Sequence, residues 1–447
     1  MYLYQCNTDI EPAMAVSKEE LDSVIIQAAQ KLGYPTLRPN QHKAIKSFME
    51  GHDVFISLPT GCGKSLCFSV LPYAFDYLYR RVGSIVSPLI ALMKDQVAAL
   101  SSRGLSAAHI SSEVYDRFQQ EKILRGEVQI VFIGPELLML NVTWREMLRT
   151  HVYKSNLVAF VVDEVHCVTK WGDYFRKKFQ TLGEVRSLIP PHVHIMGMTA
   201  TATTTTRDRE IATLGLINPV VVSASPDKPN ISYAVRQKVS IEEAFSPLAV
   251  KLKTLRRKLP WMIIFCRRYE ECTLLYHFFL SLLKNEFTEP VGAPNLAQFR
   301  LVDMYTSVTR KSVQESIVAS FSTGDSPLRI VICTIAFGMG IDCVDVCQII
   351  HWGSPTDLES YVQECGRAGR NCQPANALLF WKKADFKSQH TSCKDMKDYC
   401  TNTVMCRRAM LMAYFDSTFD HIIGCSCCDI CALNCECTSC NCKSFPV

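Results

Sequence analysis

A chain of 447 residues is too long for one compact core, so two domains and a small third are expected. With 48% hydrophobic and 20% charged residues it is not a disordered chain, and no run approaches the roughly 20 apolar residues of a membrane span. The net charge of +5 is compatible with a nucleic-acid face but decides little alone. No apolar N-terminal stretch precedes a small-residue cleavage site, so an intracellular protein is expected. Most of the 22 cysteines are scattered in apolar runs, which reads as buried reduced thiols rather than disulfides.

Residues 1–17 show no pattern and read as a loose lead. Leu21, Val24, Ile25, Ala28, Ala29 and Leu32 fall at helical spacing over Lys18–Lys31, and Gly33 stops that helix. Tyr34, with an aromatic face that can stack on a purine, and Gln41, with an amide that can pair with adenine, follow at once; Arg38 lies between them. Val54–Ser57 reads as a buried strand running into Leu-Pro-Thr-Gly-Cys-Gly-Lys-Ser. Thr60, Gly61, Cys62 and Gly63 let the backbone turn its N–H groups inward at a helix N-terminus, which makes an anion cradle. Lys64 can then reach the β- and γ-phosphates of ATP, and Ser65 can hold a bridging magnesium. A strict P-loop would carry glycine at Leu58, so the second half of the motif makes the case.

Short β-rich runs at Ser84–Ser87, Gln129–Ile133, Leu157–Val162 and His194–Met198 then alternate with helical stretches. That alternation is the signature of α/β architecture, a parallel sheet covered on both faces, with ligands at the carboxyl ends of its strands. Asp163 and Glu164 end the apolar run Leu157–Val162, where two carboxylates are costly without a cation. Asp163 is therefore read as holding magnesium, and Glu164 as orienting and deprotonating the attacking water. A second set of strands is expected at Trp261–Cys266, Leu301–Met304, Arg329–Cys333 and Cys347–His351, with no phosphate loop of its own. Near the C-terminus Cys425, Cys428 and Cys431 fall at three-residue steps that suit one tetrahedral zinc, with Cys406 as fourth thiolate and Cys427 as bystander. Cys435, Cys437, Cys440 and Cys442 are compatible with a second metal, with exchange into the first set, or with a tail.

Asp163-Glu164-Val165-His166 resembles the DEAH box of superfamily 2 helicases, and the wider set resembles the RecQ family. That set comprises Arg38 to Gln41, Ser87-Pro88-Leu89-Ile90 to Gln96, Thr199-Ala200-Thr201-Ala202, Ala336 to Asp342, and Gln363-Glu364-Cys365-Gly366-Arg367-Ala368-Gly369-Arg370. The resemblance runs from about Tyr34 to Cys431. It implies two RecA-like lobes with ATP between them: lobe one over 18–222, a linker over 223–235, lobe two over 236–383, and a zinc-binding module with a Cys-rich tail over 384–447. It further implies that His166 and Gln363 belong to the catalytic set, and that Arg367 and Arg370 reach the γ-phosphate across the cleft. Trp171, Phe175 and Arg176 would sense single-stranded DNA through base stacking, and Thr199 and Thr201 would join the ATP site to the DNA groove.

The sequence departs from the family pattern at several places. Met304-Tyr305-Thr306 stands where a His-Ala pair is usual, Arg267-Arg268 where Asn-Ser is common, Asn371-Cys372 after Arg370 in place of Asp-Gly, and Val165 in place of alanine. These touch DNA grip and step efficiency rather than hydrolysis. The chain ends soon after the zinc cysteines, so the winged-helix domain of many relatives is not expected and unwinding is expected to be weak. The resemblance thus implies a magnesium-dependent 3′ to 5′ DNA helicase that acts on single-stranded and forked DNA as a monomer. Repair, recombination or replication would be its setting and the nucleus its location, with the cytoplasm second. A translocase or annealing factor with little unwinding, and a non-enzymatic DNA-binding scaffold, are the alternatives; protein partners are not indicated.

Overall fold

The structure, a computed structural model, describes residues 17–79, 82–86, 90–110, 116–167, 186–323, 326–338, 346–370, 372–386, 392–419, 424–433 and 435. The first helix lies where the apolar spacing places it. Ser17 caps the helix Lys18–Lys31 by accepting from the Glu20 amide at 3.1 Å, and Gly33, at φ +84°, ends it.

The first lobe is built on a seven-stranded sheet of β1 (Val54–Ser57), β2 (Val82–Val86), β3 (Ala107–Ile110), β4 (Ile130–Ile133), β5 (Leu157–Val162), β6 (His194–Thr199) and β7 (Val220–Ser223). The spatial order is β3-β4-β2-β5-β6-β1-β7 and every pairing is parallel. β1 and β5 are buried at every position because helices cover both faces, which is why they read as unbroken apolar runs. One face packs Ile45, Phe48, Phe68 and Met196 together; the other packs Phe55, Trp144, Tyr153 and Phe160.

The second lobe repeats the plan with six parallel strands: β8 (Ile231–Gln237), β9 (Trp261–Cys266), β10 (Val302–Tyr305), β11 (Ile330–Cys333), β12 (Val346–Trp352) and β13 (Ala375–Trp381), in the order β10-β11-β9-β12-β13-β8. β8 begins inside the segment 223–235 read as a linker, because Ile231 to Gln237 pair residue by residue with Ala375 to Trp381. The expected strands fall within two residues of the observed ones at each end. β3, β7, β8 and β13 are additions, three of them sheet edges and the fourth next to one, where a run gives little periodic signal.

Beyond β13, the helices Ser392–Thr401 and Arg407–Tyr414, the turn Gly424–Ser426 and the short helix Asp429–Ala432 form a third element. Its Met396, Tyr399, Leu411, Met412 and Cys427 share one core with Tyr233, Phe265 and Tyr361 of the second lobe. The architecture is therefore the one the motif order implies: two α/β lobes with parallel sheets and a small cysteine-bearing helical module. Among the described residues no helix is long and apolar enough to cross a membrane.

Candidate functional site: an interlobe cleft and a cysteine centre

β1 delivers the phosphate loop and β5 the paired carboxylates, and the two strands lie on either side of β6 in one sheet. The glycines do what the motif requires: Gly63 has φ +71°, and a Cβ there would come within 2.6 Å of Gln41 Nε2. Gln41 is buried, and its amide nitrogen donates to the carbonyls of Cys62 and Gly63, both at 3.0 Å, while its Oε1 accepts from the Arg38 amide at 2.9 Å. Both amide protons are thus committed, and in this arrangement Gln41 shapes the loop rather than offering a donor to adenine. Arg38 donates to the Gly61 carbonyl at 3.2 Å, and the Arg103 guanidinium lies 4.4 Å over the Tyr34 ring, covering one of its faces. Lys64 Nζ bonds the Leu58 carbonyl at 2.9 Å across the cradle it would leave for a phosphate. Ser65 is exposed, with Gln96 Nε2 at 3.4 Å from its hydroxyl.

Asp163 is buried, and its carboxyl is pushed up to about 7, first by burial and then by the neighbouring Glu164, with Lys64 opposing. A buried acid in that state calls for a cation, and the donor set of Asp163 with Ser65 is the all-oxygen kind that suits magnesium. Glu164 takes φ +50°, a conformation that side chains rarely adopt and that concentrates at functional sites. His166 is the junction of the cleft. Gln363 Nε2, from the second lobe, donates to His166 Nε2 at 3.2 Å, so the neutral ring carries its proton on Nδ1. Nδ1 hydrogen-bonds Thr199 Oγ1 at 3.4 Å, at the end of β6, and lies 3.3 Å from Glu164 Oε2 without a hydrogen bond to it. Thr201 lines a cavity of about 200 Å³ beside that strand end, together with Ser57, Arg207 and Asp416.

The second lobe closes on the loop through the helix Leu358–Cys365 and the turn after it. Thr60 Oγ1 donates to the Gly366 carbonyl at 2.7 Å, Arg367 is buried, and Arg370 Cγ lies 3.9 Å from where a Cβ on Gly61 would stand. Burial lowers the Arg370 guanidinium. Deeper in the contact, Thr206 Oγ1 and the Thr203 amide both donate to Glu359 Oε1, at 2.6 and 3.4 Å. The expected residues Lys64, Asp163, Glu164, His166, Gln363, Arg367 and Arg370 are therefore gathered in one cleft. Trp171, Phe175 and Arg176 lie outside the described residues, as do Met339 to Asp342.

The cysteine centre corrects one ligand. Cys406, Cys427, Cys428 and Cys431 bring their sulfurs within 4.8 Å of one another, with Cys406 to Cys427 at 3.5 Å and Cys428 to Cys406 at 3.9 Å. Four sulfurs about 2.3 Å from one ion would lie about 3.8 Å apart, so the set fits a tetrahedral zinc. Cys425, expected in this set, is outside it, and Cys427, expected as bystander, is inside. The three-residue steps say nothing of the path between them: the chain makes a 3₁₀ turn at Gly424–Ser426 and then extends, with Cys428 at φ −163° and ψ 170°. Docking on β8 fixes this path, since the Tyr233 amide donates to the Cys427 carbonyl at 3.2 Å. Cys425 turns toward Cys435 instead. Cys437, Cys440 and Cys442 are outside the described residues.

Sequence reading missed Lys228 and Asn230, whose linker reads only as Pro-punctuated. Lys228 Nζ donates to the Gly366 and Ala368 carbonyls, and burial, with Arg370 and Arg367 nearby, lowers its ammonium to about 8. Arg267 and Arg268 follow β9 without forming a cradle; Arg267 donates to the Asp385 carbonyl at 2.8 Å.

Three family descriptions match the chain in order: "DEAD/DEAH box helicase" over residues 38–209, "Helicase conserved C-terminal domain" over 250–372 and "RecQ zinc-binding" over 378–432. Among curated proteins the chain is 30% identical over 419 residues to the "ATP-dependent DNA helicase RecQ" of Pasteurella multocida, covering 89% of this chain and 60% of that protein. It is also 30% identical over 417 residues to the "ATP-dependent DNA helicase hus2/rqh1" of Schizosaccharomyces pombe, covering 88% and 30%. The chain thus spans from under a third to three fifths of these relatives' lengths. Of solved structures, the Mycobacterium smegmatis helicase Lhr, bound to single-stranded DNA and AMP-PNP, aligns with a TM-score of 0.62 at 19% identity, over 85% of this chain and 49% of that one.

Proposed function

The chain belongs to the RecQ family of superfamily 2 helicases, and from that premise we propose that it is a DNA-stimulated ATPase that translocates 3′ to 5′ on one strand and separates duplex DNA. The observation that carries the reading is the single cleft in which Lys64, Asp163 and Glu164 of one lobe face Gln363, Arg367 and Arg370 of the other, joined through His166.

Lys64 leaves the Leu58 carbonyl to hold the nucleotide phosphates, and Ser65 and Asp163 would hold magnesium, which when bound would neutralise charge on the phosphates. Glu164 orients the attacking water and takes its proton, and His166 Nδ1 lies 3.3 Å from its carboxylate. Arg367 and Arg370 bring positive charge from the second lobe to the departing γ-phosphate. While the phosphate is bound, both lobes contact it and closure is favoured. After hydrolysis the bridge through the phosphate is lost, protein contacts such as those through Thr60, Gln363 and Glu359 are left to hold the cleft, and the lobes part. Thr199, bonded to His166, is the route by which a strand in the groove would bias the carboxylate, and Trp171, Phe175 and Arg176 would stack on that strand. Zinc on the four thiolates would hold the third module's fold. Action on forked DNA in repair, recombination or replication, as a nuclear monomer, belongs to the same reading.

The test is ATP turnover with and without single-stranded DNA, for the wild type, Glu164→Gln and Lys64→Ala. The expected outcome is strong stimulation by DNA and a fall of about 10³-fold in both variants. Turnover no higher than in the variants would overturn the enzyme reading. A 3′-tailed fork and a 5′-tailed fork, each with ATP, then test unwinding and its polarity.

A further inference from the structure

Between β7 and β8 the chain crosses from one lobe to the other through Ala224 to Asn230, and this crossing does more than connect. The carbonyl of Gly366, at the start of the arginine-bearing turn, receives two donors from two parts of the molecule: Thr60 Oγ1 of the phosphate loop at 2.7 Å and Lys228 Nζ of the linker. Lys228 also donates to the Ala368 carbonyl at 3.2 Å. Two residues on, Asn230 Nδ2 donates to the Gly369 and Gln373 carbonyls, at 2.8 and 2.7 Å. The carbonyls on both sides of Arg367, and the one just before Arg370, are therefore held by two linker side chains. The approach is close enough to dictate sequence: Gly369 has φ +60°, and a Cβ there would fall 2.2 Å from Asn230 Nδ2.

The linker backbone is held in turn from the far side. Arg408, fully buried, bonds the Asp227 carboxylate and donates to the Lys228 and Pro229 carbonyls at 3.0 and 3.4 Å. Lys228 thus sits on a fixed base, and moving its ammonium moves the turn.

The charges give the arrangement its direction. Lys228 shares the site with Arg367 and Arg370, and the repulsion among these three cations is relieved when an anion enters beside them. The phosphates of a bound nucleotide are that anion. A cationic donor to backbone carbonyls is stronger than a neutral one, so Lys228 grips the turn while adding to the field the phosphates enter.

We infer that Lys228, assisted by Asn230, is a positioning residue that sets Arg367 and Arg370 against the phosphate loop and couples the interlobe linker to the transition state of hydrolysis. This rests on the reading of the cleft as an ATP-hydrolysing site.

The experiment compares full-length wild type, Lys228→Met, Lys228→Arg and Asn230→Ala by DNA-stimulated turnover, thermal melting and hydrogen exchange of the Gly366–Arg370 amides. Lys228→Met should lower kcat about tenfold or more while leaving KM for ATP within about twofold, since geometry rather than ground-state binding is lost. Lys228→Arg should restore most of kcat, and Asn230→Ala should fall between. Amide exchange in Gly366–Arg370 should rise about fivefold or more in Lys228→Met and not in Lys228→Arg. Unchanged exchange, unchanged kcat, or a loss of kcat that merely follows a lower melting temperature would each overturn the proposal. Exchange reports on the clasp without turnover: if the wild type matches Glu164→Gln in turnover while exchange still rises in Lys228→Met, the motor reading fails and the clasp stands as a structural contact only.

Discussion

The two lobes share a plan and differ at one junction. In the first, β1 ends at Ser57 and enters its helix through Gly61 and Gly63, both at positive φ, leaving a hollow that Lys64 spans. In the second, β9 ends at Cys266 and enters its helix through Arg267 and Arg268, with no glycine and with Arg267 fastened to Asp385. The same strand-to-helix step is a cradle when its residues can turn the amides inward and an ordinary corner when they cannot. The second lobe contributes charge from another place, the turn after the helix Leu358–Cys365. A repeated fold has thus been divided into one half whose loop is shaped for an anion and one that brings its arginines to that loop.

Three experiments would break or sharpen this division. The largest effect is expected at the second lobe's contribution: Arg370→Ala should lower turnover by about 10³-fold while nucleotide binding falls much less. A proportional loss of binding would show that this lobe also holds the ground state. Next, the cysteine centre should prove structural for the second lobe alone. Cys427→Ala should abolish zinc, measured by metal analysis, and lower the melting temperature by about 5 °C or more, whereas Cys425→Ala should keep about one zinc per chain. The opposite pattern would restore the set expected from spacing. The smallest effect is expected at the junction after β9: Arg267→Ala should leave turnover within about twofold, because its bonds go to Asp385 rather than to the residues of the cleft. A large loss there would mean that both junctions serve the nucleotide.

Much of this was readable from the chain because the chemistry is local. Eight consecutive residues carry the cradle, and Asp163-Glu164 follows an apolar strand directly. Strand ends were displaced by a residue or two, since fraying and pairing rather than composition set them. Cys427 was expected as bystander because the three-residue steps single out Cys425, Cys428 and Cys431, whereas docking on β8 brings its sulfur to Cys406. Lys228 and Asn230 left no local trace at all. Their partners lie 138 to 143 residues away and are backbone carbonyls, which no sequence pattern marks. Gln41 was legible as part of the site but not in its work on the loop, because an amide that can pair with a base can equally pair with a peptide.

The second lobe and the cysteine-bearing module share one apolar core, in which Met396, Tyr399, Leu411 and Cys427 pack with Tyr233, Phe265 and Tyr361. A boundary drawn between them on the sequence is therefore not a boundary in cooperativity. The pair should melt as one unit, and a protease cut between them should leave two pieces that stay associated rather than two domains that separate. Damage to the thiols would then spread as a loosening of the sheet that carries the arginines.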